Sequence, residues 1–269
     1  PITAWVKDGG DGQVDAGDSV YLYFGLRRGG AHYYAMDYTD PRAPRLLWKL
    51  SNTMPGFSQL GQSWSPPTRT RVKTGVYGAA MERDVLIFGA GYDERQDDYS
   101  AWAPDSRGNA IYMVDAYTGE LVWSGSAANT QDTVEARYFA DMTNAITGQV
   151  RVLDLDDDGF ADRLYAADLG GRVWRFDVHN PDAEGESFSV TGGVLASLGG
   201  AESAAASSNR RFYYAPDIAL GAADGRNFFN ITIASGYRAH PKDVALQDYF
   251  YVLRDYYPFS ELGLGETGE

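Results

Sequence analysis

Short apolar stretches alternate with polar positions along the whole chain, and Gly, Asp, Asn or Pro interrupts them every few residues. Alternation of period two, bounded by turn residues and rich in Val, Ile, Leu, Tyr and Phe, is the signature of half-buried strands. It predicts strands over 20–26, 85–89, 110–114, 121–124, 149–155, 163–167, 172–178, 230–234 and 249–253. No stretch keeps a helical period beyond two or three turns. The expected fold class is therefore all-β.

The strands recur in a fixed grammar. One type ends in aspartate: Tyr33-Tyr34-Ala35-Met36-Asp37, Ile111-Tyr112-Met113-Val114-Asp115, Val173-Trp174-Arg175-Phe176-Asp177 and Tyr251-Val252-Leu253-Arg254-Asp255, spaced by 78, 62 and 78 residues. Each follows a strand that runs into small residues: Phe24-Gly25, Phe88-Gly89, Ala166-Ala167 and Ala234-Ser235-Gly236. Two copies continue through a turn into a strand ending in Trp, at Trp48 and Trp123. Strand, turn, strand-Asp, turn, strand-Trp is the sequence of a β-propeller blade. The alternative is a β-sandwich with coincidental aspartates. At this spacing 1–269 holds about four blades, which reads as part of a larger propeller with long loops. Two loops stand out: 93–109, and a Gly/Ala/Ser-rich insertion over 182–209 that is expected to be flexible around 204–208.

Charge narrows the partners. Lys and Arg number 23 against 37 Asp and Glu, a net charge of −14. An acidic surface repels phosphate backbones, and no basic stripe offsets it, so nucleic acid is not an expected partner. Only four of the cations are lysines, which argues against polybasic membrane docking. No apolar run reaches membrane-spanning length. The absence of cysteine removes disulfide scaffolds, thiolate metal sites and cysteine nucleophiles. The chain opens Pro1-Ile2 without Met and is expected to be processed or partial.

One segment concentrates the acid. In Asp154-Leu155-Asp156-Asp157-Asp158-Gly159-Phe160-Ala161-Asp162, counting from Asp154, carboxylates fall at positions 1, 3, 5 and 9, Gly at 6 and the Phe160 carbonyl at 7. That spacing is the first part of a calcium loop, in which alternate side chains of a tight turn converge on one point. The expected ligands are Asp154, Asp156, Asp158, the carbonyl of Phe160, and Asp162, which closes the site in place of the Glu an EF-hand carries at position 12. Leu155 is expected to point into the core and Asp157 to solvent. An oxygen cage of this kind favours Ca2+ over Mg2+. The plain alternative is an Asp-rich turn held by its own backbone hydrogen bonds, but five carboxylates in nine residues repel one another without a cation.

Other chemistry is sparse. The acidic stretch 8–18 lacks alternate spacing and reads as a Gly-Asp loop. His32, His179 and His240 are isolated, and no nucleophile elbow, zincin motif or phosphate loop occurs. Trp48, Trp123 and Trp174 read as packing residues. Trp64 and Trp102 lie in loop-like sequence and are candidates for an exposed contact surface.

Taken in order, 60–67 (Leu-Gly-Gln-Ser-Trp-Ser-Pro-Pro), 108–115, 154–177, 209–217 and 236–241 resemble the type IV pilus tip-associated adhesin and biogenesis factors of the PilY/PilC type, in their C-terminal propeller domain. The resemblance implies a non-enzymatic, calcium-binding protein of the bacterial surface, at the pilus tip and associated with the outer membrane. Minor pilins and abiotic or host surfaces are the implied partners, and cation occupancy is implied to modulate pilus extension, retraction and attachment. Carried over, the metal ligands are again Asp154, Asp156, Asp158, Phe160 and Asp162, with no catalytic residue. Two other classes share features with the chain. Quinone-dependent dehydrogenase propellers carry a pattern like that of 115–123, but their vicinal cysteines are missing. Integrin-like propellers would repeat the calcium loop, and one copy is found.

Overall fold

A computed structural model describes residues 1–10, 12–13, 15–98, 103–129, 136–200 and 206–260. Sixteen strands form four sheets, each a run of chain-order neighbours. The first holds β1 (Ile2–Lys7), β2 (Ser19–Gly25), β3 (His32–Asp37) and β4 (Arg45–Ser51). The second holds β5 (Thr68–Thr74), β6 (Met81–Gly89), β7 (Ala110–Asp115), β8 (Leu121–Ser126) and a short parallel β9 (Ala136–Tyr138). β10 (Arg151–Leu153), β11 (Arg163–Ala167), β12 (Arg172–His179) and β13 (Ser189–Ser197) make the third, and β14 (Asp217–Ala223), β15 (Arg226–Ala234) and β16 (Phe250–Asp255) the fourth. Apart from β9, every pairing is antiparallel.

Each sheet is one propeller blade, and the repeat read from sequence maps onto it. Asp37, Asp115 and Asp255 end the third strand of their blades, and Asp177 stands two residues before the end of the third strand of its own. The reason is local. Asp37, Asp115 and Asp255 each accept a hydrogen bond from the backbone N–H two residues on, at 2.9–3.0 Å, which closes the turn out of the strand. Asp177 is committed instead to Arg163 and Arg175.

The core lies between blades rather than within them. Tyr23, Tyr33, Trp48, Phe88 and Tyr112 pack the first blade on the second. Val85, Ile87, Trp123, Trp174 and Phe176 pack the second on the third. Tyr165, Phe212, Phe229 and Ile231 pack the third on the fourth. Across that last junction the fully buried Arg175 donates to Asp255 at 2.9 Å, and within its own strand to Asp177 at 3.2 Å. The first strands of neighbouring blades, β1, β5 and β10, lie side by side.

The structure corrects the expectation for 182–209. Its 189–197 portion is β13, the fourth strand of its blade. Small residues serve packing there: Gly192 has φ 146°, and a Cβ would collide with the backbone of Arg175 and Phe176. Ser207 and Ser208 end a short 3-10 turn, while 201–205 lie outside the described residues, as do Trp102, Asp11 and Val14. The leading strands β1, β5 and β14 carry no clear alternation, because charged and small residues dilute it in each. The strand expected over 149–155 contracts to three residues.

Candidate metal centre

The aspartate loop connects β10 to β11 in the third blade. Its turn is drawn tight by its own carboxylates. Asp154 accepts from the N–H of Asp157 at 2.7 Å through one oxygen and from that of Gly159 at 2.8 Å through the other. Asp156 accepts from Asp158 N–H at 3.2 Å, Asp158 from Phe160 N–H at 2.9 Å, and Asp162 from Leu155 N–H at 2.6 Å. Two residues take the left-handed conformation that such a reversal needs, Asp157 (φ 66°) and Gly159 (φ 87°).

These bonds aim three side chains at one point. Asp154, Asp156 and Asp162 each present an oxygen, all within 4.8 Å of one another. Each such oxygen keeps a second lone pair after a backbone bond, so the hydrogen bonding does not exhaust the donor set. Burial, reinforced by the charges of Asp156, Asp158 and Asp154, pushes the Asp162 carboxyl above its ordinary value. A cluster of hard anionic oxygens at one point fits a hard divalent cation. Leu155 is half-buried beside the junction between third and fourth blades, and Asp157 is exposed.

The remaining two expected ligands stand differently. Asp158 lies outside the converging group and is drawn toward Lys73, whose Nζ is 3.6 Å from its carboxylate. Phe160 has a buried side chain, its ring lying 4.6 Å from the guanidinium of Arg71 and 4.5 Å from the ammonium of Lys73. Arg71 Nε donates to the Gly159 carbonyl at 3.2 Å, and its own carbonyl accepts from Ala161 N–H at 2.9 Å. Lys73 also pairs with Asp182. Both cations come from β5 of the preceding blade, more than 80 residues away in sequence. Sequence reasoning missed them. The available signal was the basic run Arg69, Arg71, Lys73 at alternate positions, which a strand places on one face.

The other candidates resolve into structural roles. In the 8–18 stretch, Asp8 accepts from Gly10 and Gly12 N–H, and Asp18 from Gly9 and Asp15 N–H. Among the described residues no further group of three converging acidic side chains forms. His179 bonds Thr191 at 2.9 Å, and His240 meets the Asp97 carbonyl. No helix of the described residues is long and apolar enough to cross a membrane.

Four radially packed antiparallel sheets with the aspartate loop between the first two strands of one of them define a β-propeller segment. No family model matches the chain. Among curated proteins it is 30% identical over 156 residues to the type IV pilus biogenesis factor PilY1 of Pseudomonas aeruginosa (strain PAK), covering 57% of this chain and 11% of that protein. It is 26% identical over 178 residues to a PilY1 homolog of Xylella fastidiosa (strain Temecula1), covering 65% of this chain and 11% of the relative. The crystal structure of the Pseudomonas aeruginosa PilY1 C-terminal domain superposes with a TM-score of 0.64 at 22% identity, over 95% of this chain and 49% of that one. The sequence relation to PilY1 proteins runs over 57–65% of the chain, and the solved PilY1 C-terminal domain shares its β-propeller fold. The matched region is about a tenth of the curated relatives' length, and the chain spans about half of the solved domain.

Proposed function

We propose that the chain is a non-enzymatic, calcium-binding part of a type IV pilus biogenesis and adhesion protein, acting at the bacterial surface. The pilus assignment rests on the likeness to proteins named as type IV pilus biogenesis factors. Calcium binding rests on one observation, the convergence of Asp154, Asp156 and Asp162 within 4.8 Å. Those three carboxylates hold the ion, and Asp158 and the Phe160 carbonyl complete the oxygen set. Calcium, when bound, supplies the positive charge that lets the carboxylates sit together. Asp162 then ties the end of the loop to its start through Leu155 N–H, and the β10–β11 connection stiffens. Through Arg71 and Lys73 the loop touches the neighbouring blade, so occupancy alters a surface that spans two blades. That is the route by which cation occupancy modulates pilus extension, retraction and surface attachment, with minor pilins and abiotic or host surfaces as partners at the pilus tip.

The same reading takes the four blades as part of a larger ring. The outer face of the first blade exposes Ile2, and that of the last exposes Phe250 and Val252, each more than half accessible. Large apolar side chains on sheet faces call for cover.

Thermal unfolding with and without calcium tests the metal reading. At a free calcium concentration about 100 times the dissociation constant, stability should rise by about 2.7 kcal/mol. Asp162→Ala should abolish the rise while leaving the calcium-free transition cooperative. A variant that responds to calcium as the parent does would sink the assignment.

A further inference from the structure

At the opposite end of β10 from the aspartate loop, all four blades contribute to one recess. Arg27 comes from the β2–β3 turn, Trp64 from the segment before β5, Gln149 from that before β10, Tyr214 from that before β14, and Arg238 from the β15–β16 connection. They line a cavity of about 240 Å³. The guanidinium carbons of Arg27 and Arg238 lie 5.4 and 4.9 Å from the centre of the Trp64 ring. The indole is held by its Nε1–H, which donates to Gln62 Oε1 at 3.2 Å. Arg238 Nη1 donates to the Tyr214 hydroxyl at 3.2 Å, which orients the fork.

Charge makes this recess unusual. In a chain of net charge −14, cations are readily paired, and neighbouring Arg28 forms a bidentate pair with Asp97. Among the described residues neither Arg27 nor Arg238 forms an ion pair with a carboxylate. Arg27 also holds a left-handed backbone (φ 52°), pinned by its N–H donating to the Ser63 carbonyl at 3.2 Å. A non-glycine residue kept in that conformation by surrounding structure is the kind of local strain that gathers at binding sites.

Stacking on an aromatic face leaves the N–H edges of a guanidinium free, and those edges match the two oxygens of a carboxylate. Two such forks around one ring offer a carboxylate a pre-oriented seat. The Tyr214 ring is two-thirds exposed and presents a flat apolar surface beside it. The volume falls below the roughly 300 Å³ at which pockets begin to take drug-sized ligands, so it suits one saturated ring rather than a fused system. Apart from Arg151 at the start of β10, whose guanidinium is held by the Pro216 carbonyl and Asp217, the described walls are turns and connections, which leave an extended acidic peptide little strand edge to pair with. We infer that the recess binds an acidic sugar of the uronate class, its carboxylate between Arg27 and Arg238 and its ring against Tyr214.

The test is titration of the chain with trigalacturonate, followed by calorimetry and by Trp fluorescence. Calcium is removed by chelation, because uronates bind calcium themselves. Binding at about 1 mM or tighter is expected, with a neutral galactose trimer binding at least tenfold more weakly. Arg238→Gln and, separately, Arg27→Gln should each weaken binding by roughly tenfold, with thermal unfolding unchanged for the exposed Arg238. Lack of binding, equal binding of the neutral trimer, or indifference to both substitutions overturns the proposal. Tighter binding of an acidic hexapeptide than of the uronate overturns it in favour of a peptide ligand. The outcome is independent of the aspartate loop, since Asp162→Ala should bind trigalacturonate as the parent does.

Discussion

Asp168 shows how a single side chain in this fold can carry both structure and a pH signature. It is fully buried and accepts from the N–H groups of Gly170 and Arg172 and from Trp174 Nε1, each at 2.9 Å. Those donors and the nearby Arg172 favour the anion, yet burial outweighs them and pushes its pKa up to about 6 from an ordinary 3.8. The folded chain therefore keeps a proton that the unfolded chain releases once pH passes the ordinary value. Stability from this group falls as pH rises through that window, by about 3 kcal/mol in all, and is level above it. Carbon-13 NMR of the Asp168 carboxyl should show a midpoint near 6, against which a midpoint at the ordinary aspartate value would count decisively. Asp162 in the aspartate loop follows the same rule. It is raised by burial first and by its acidic neighbours second.

At the scale of elements, the β5 strand acts on a loop that belongs to the next blade. Lys73 Nζ sits 3.6 Å from the Asp158 carboxylate and also pairs with Asp182, which raises the lysine pKa. It supplies a tethered positive charge where a bound cation would otherwise neutralise the loop. Lys73→Gln should release Asp158 and tighten calcium binding about fivefold, the equivalent of about 1 kcal/mol for a partly exposed pair. Asp182→Asn should do the reverse, by leaving Lys73 to Asp158 alone. Calorimetric titration at two ionic strengths checks this, with the difference between parent and variant shrinking at high salt. Unchanged affinity in Lys73→Gln would mean that Asp158 takes no part in binding.

At the scale of the molecule, cohesion comes from blade-to-blade contact, so the two terminal blades each keep one uncovered face. Ile2 on the first blade and Phe250 and Val252 on the last are the visible consequence. The isolated chain should bind a hydrophobic dye and self-associate with concentration, as measured by sedimentation. Phe250→Ser combined with Val252→Thr should reduce both signals without lowering the unfolding temperature by more than a few degrees, since neither side chain is buried. A monomeric, dye-silent parent would argue that these faces need no cover.

Local chemistry was readable because it depends on residues close together in the chain. Asp37, Asp115 and Asp255 end their strands through bonds two residues long, and the nine-residue aspartate loop makes its turn from its own N–H groups. The fold class and the convergence of Asp154, Asp156 and Asp162 follow from such short-range rules. The leading strands were less legible, because β1, β5 and β14 owe their place to neighbours on the sheet more than to their own alternation. β13 was hidden for a related reason: its glycines signal a loop until β12 is seen packed against them. The sequence by itself determined the all-β repeat and the acidic turn. Only the tertiary structure decided that Arg71 and Lys73 meet that turn from another blade, and that Arg27 and Arg238 share one tryptophan. Contacts between residues scores to hundreds of positions apart arise from ring geometry, and no local pattern encodes them.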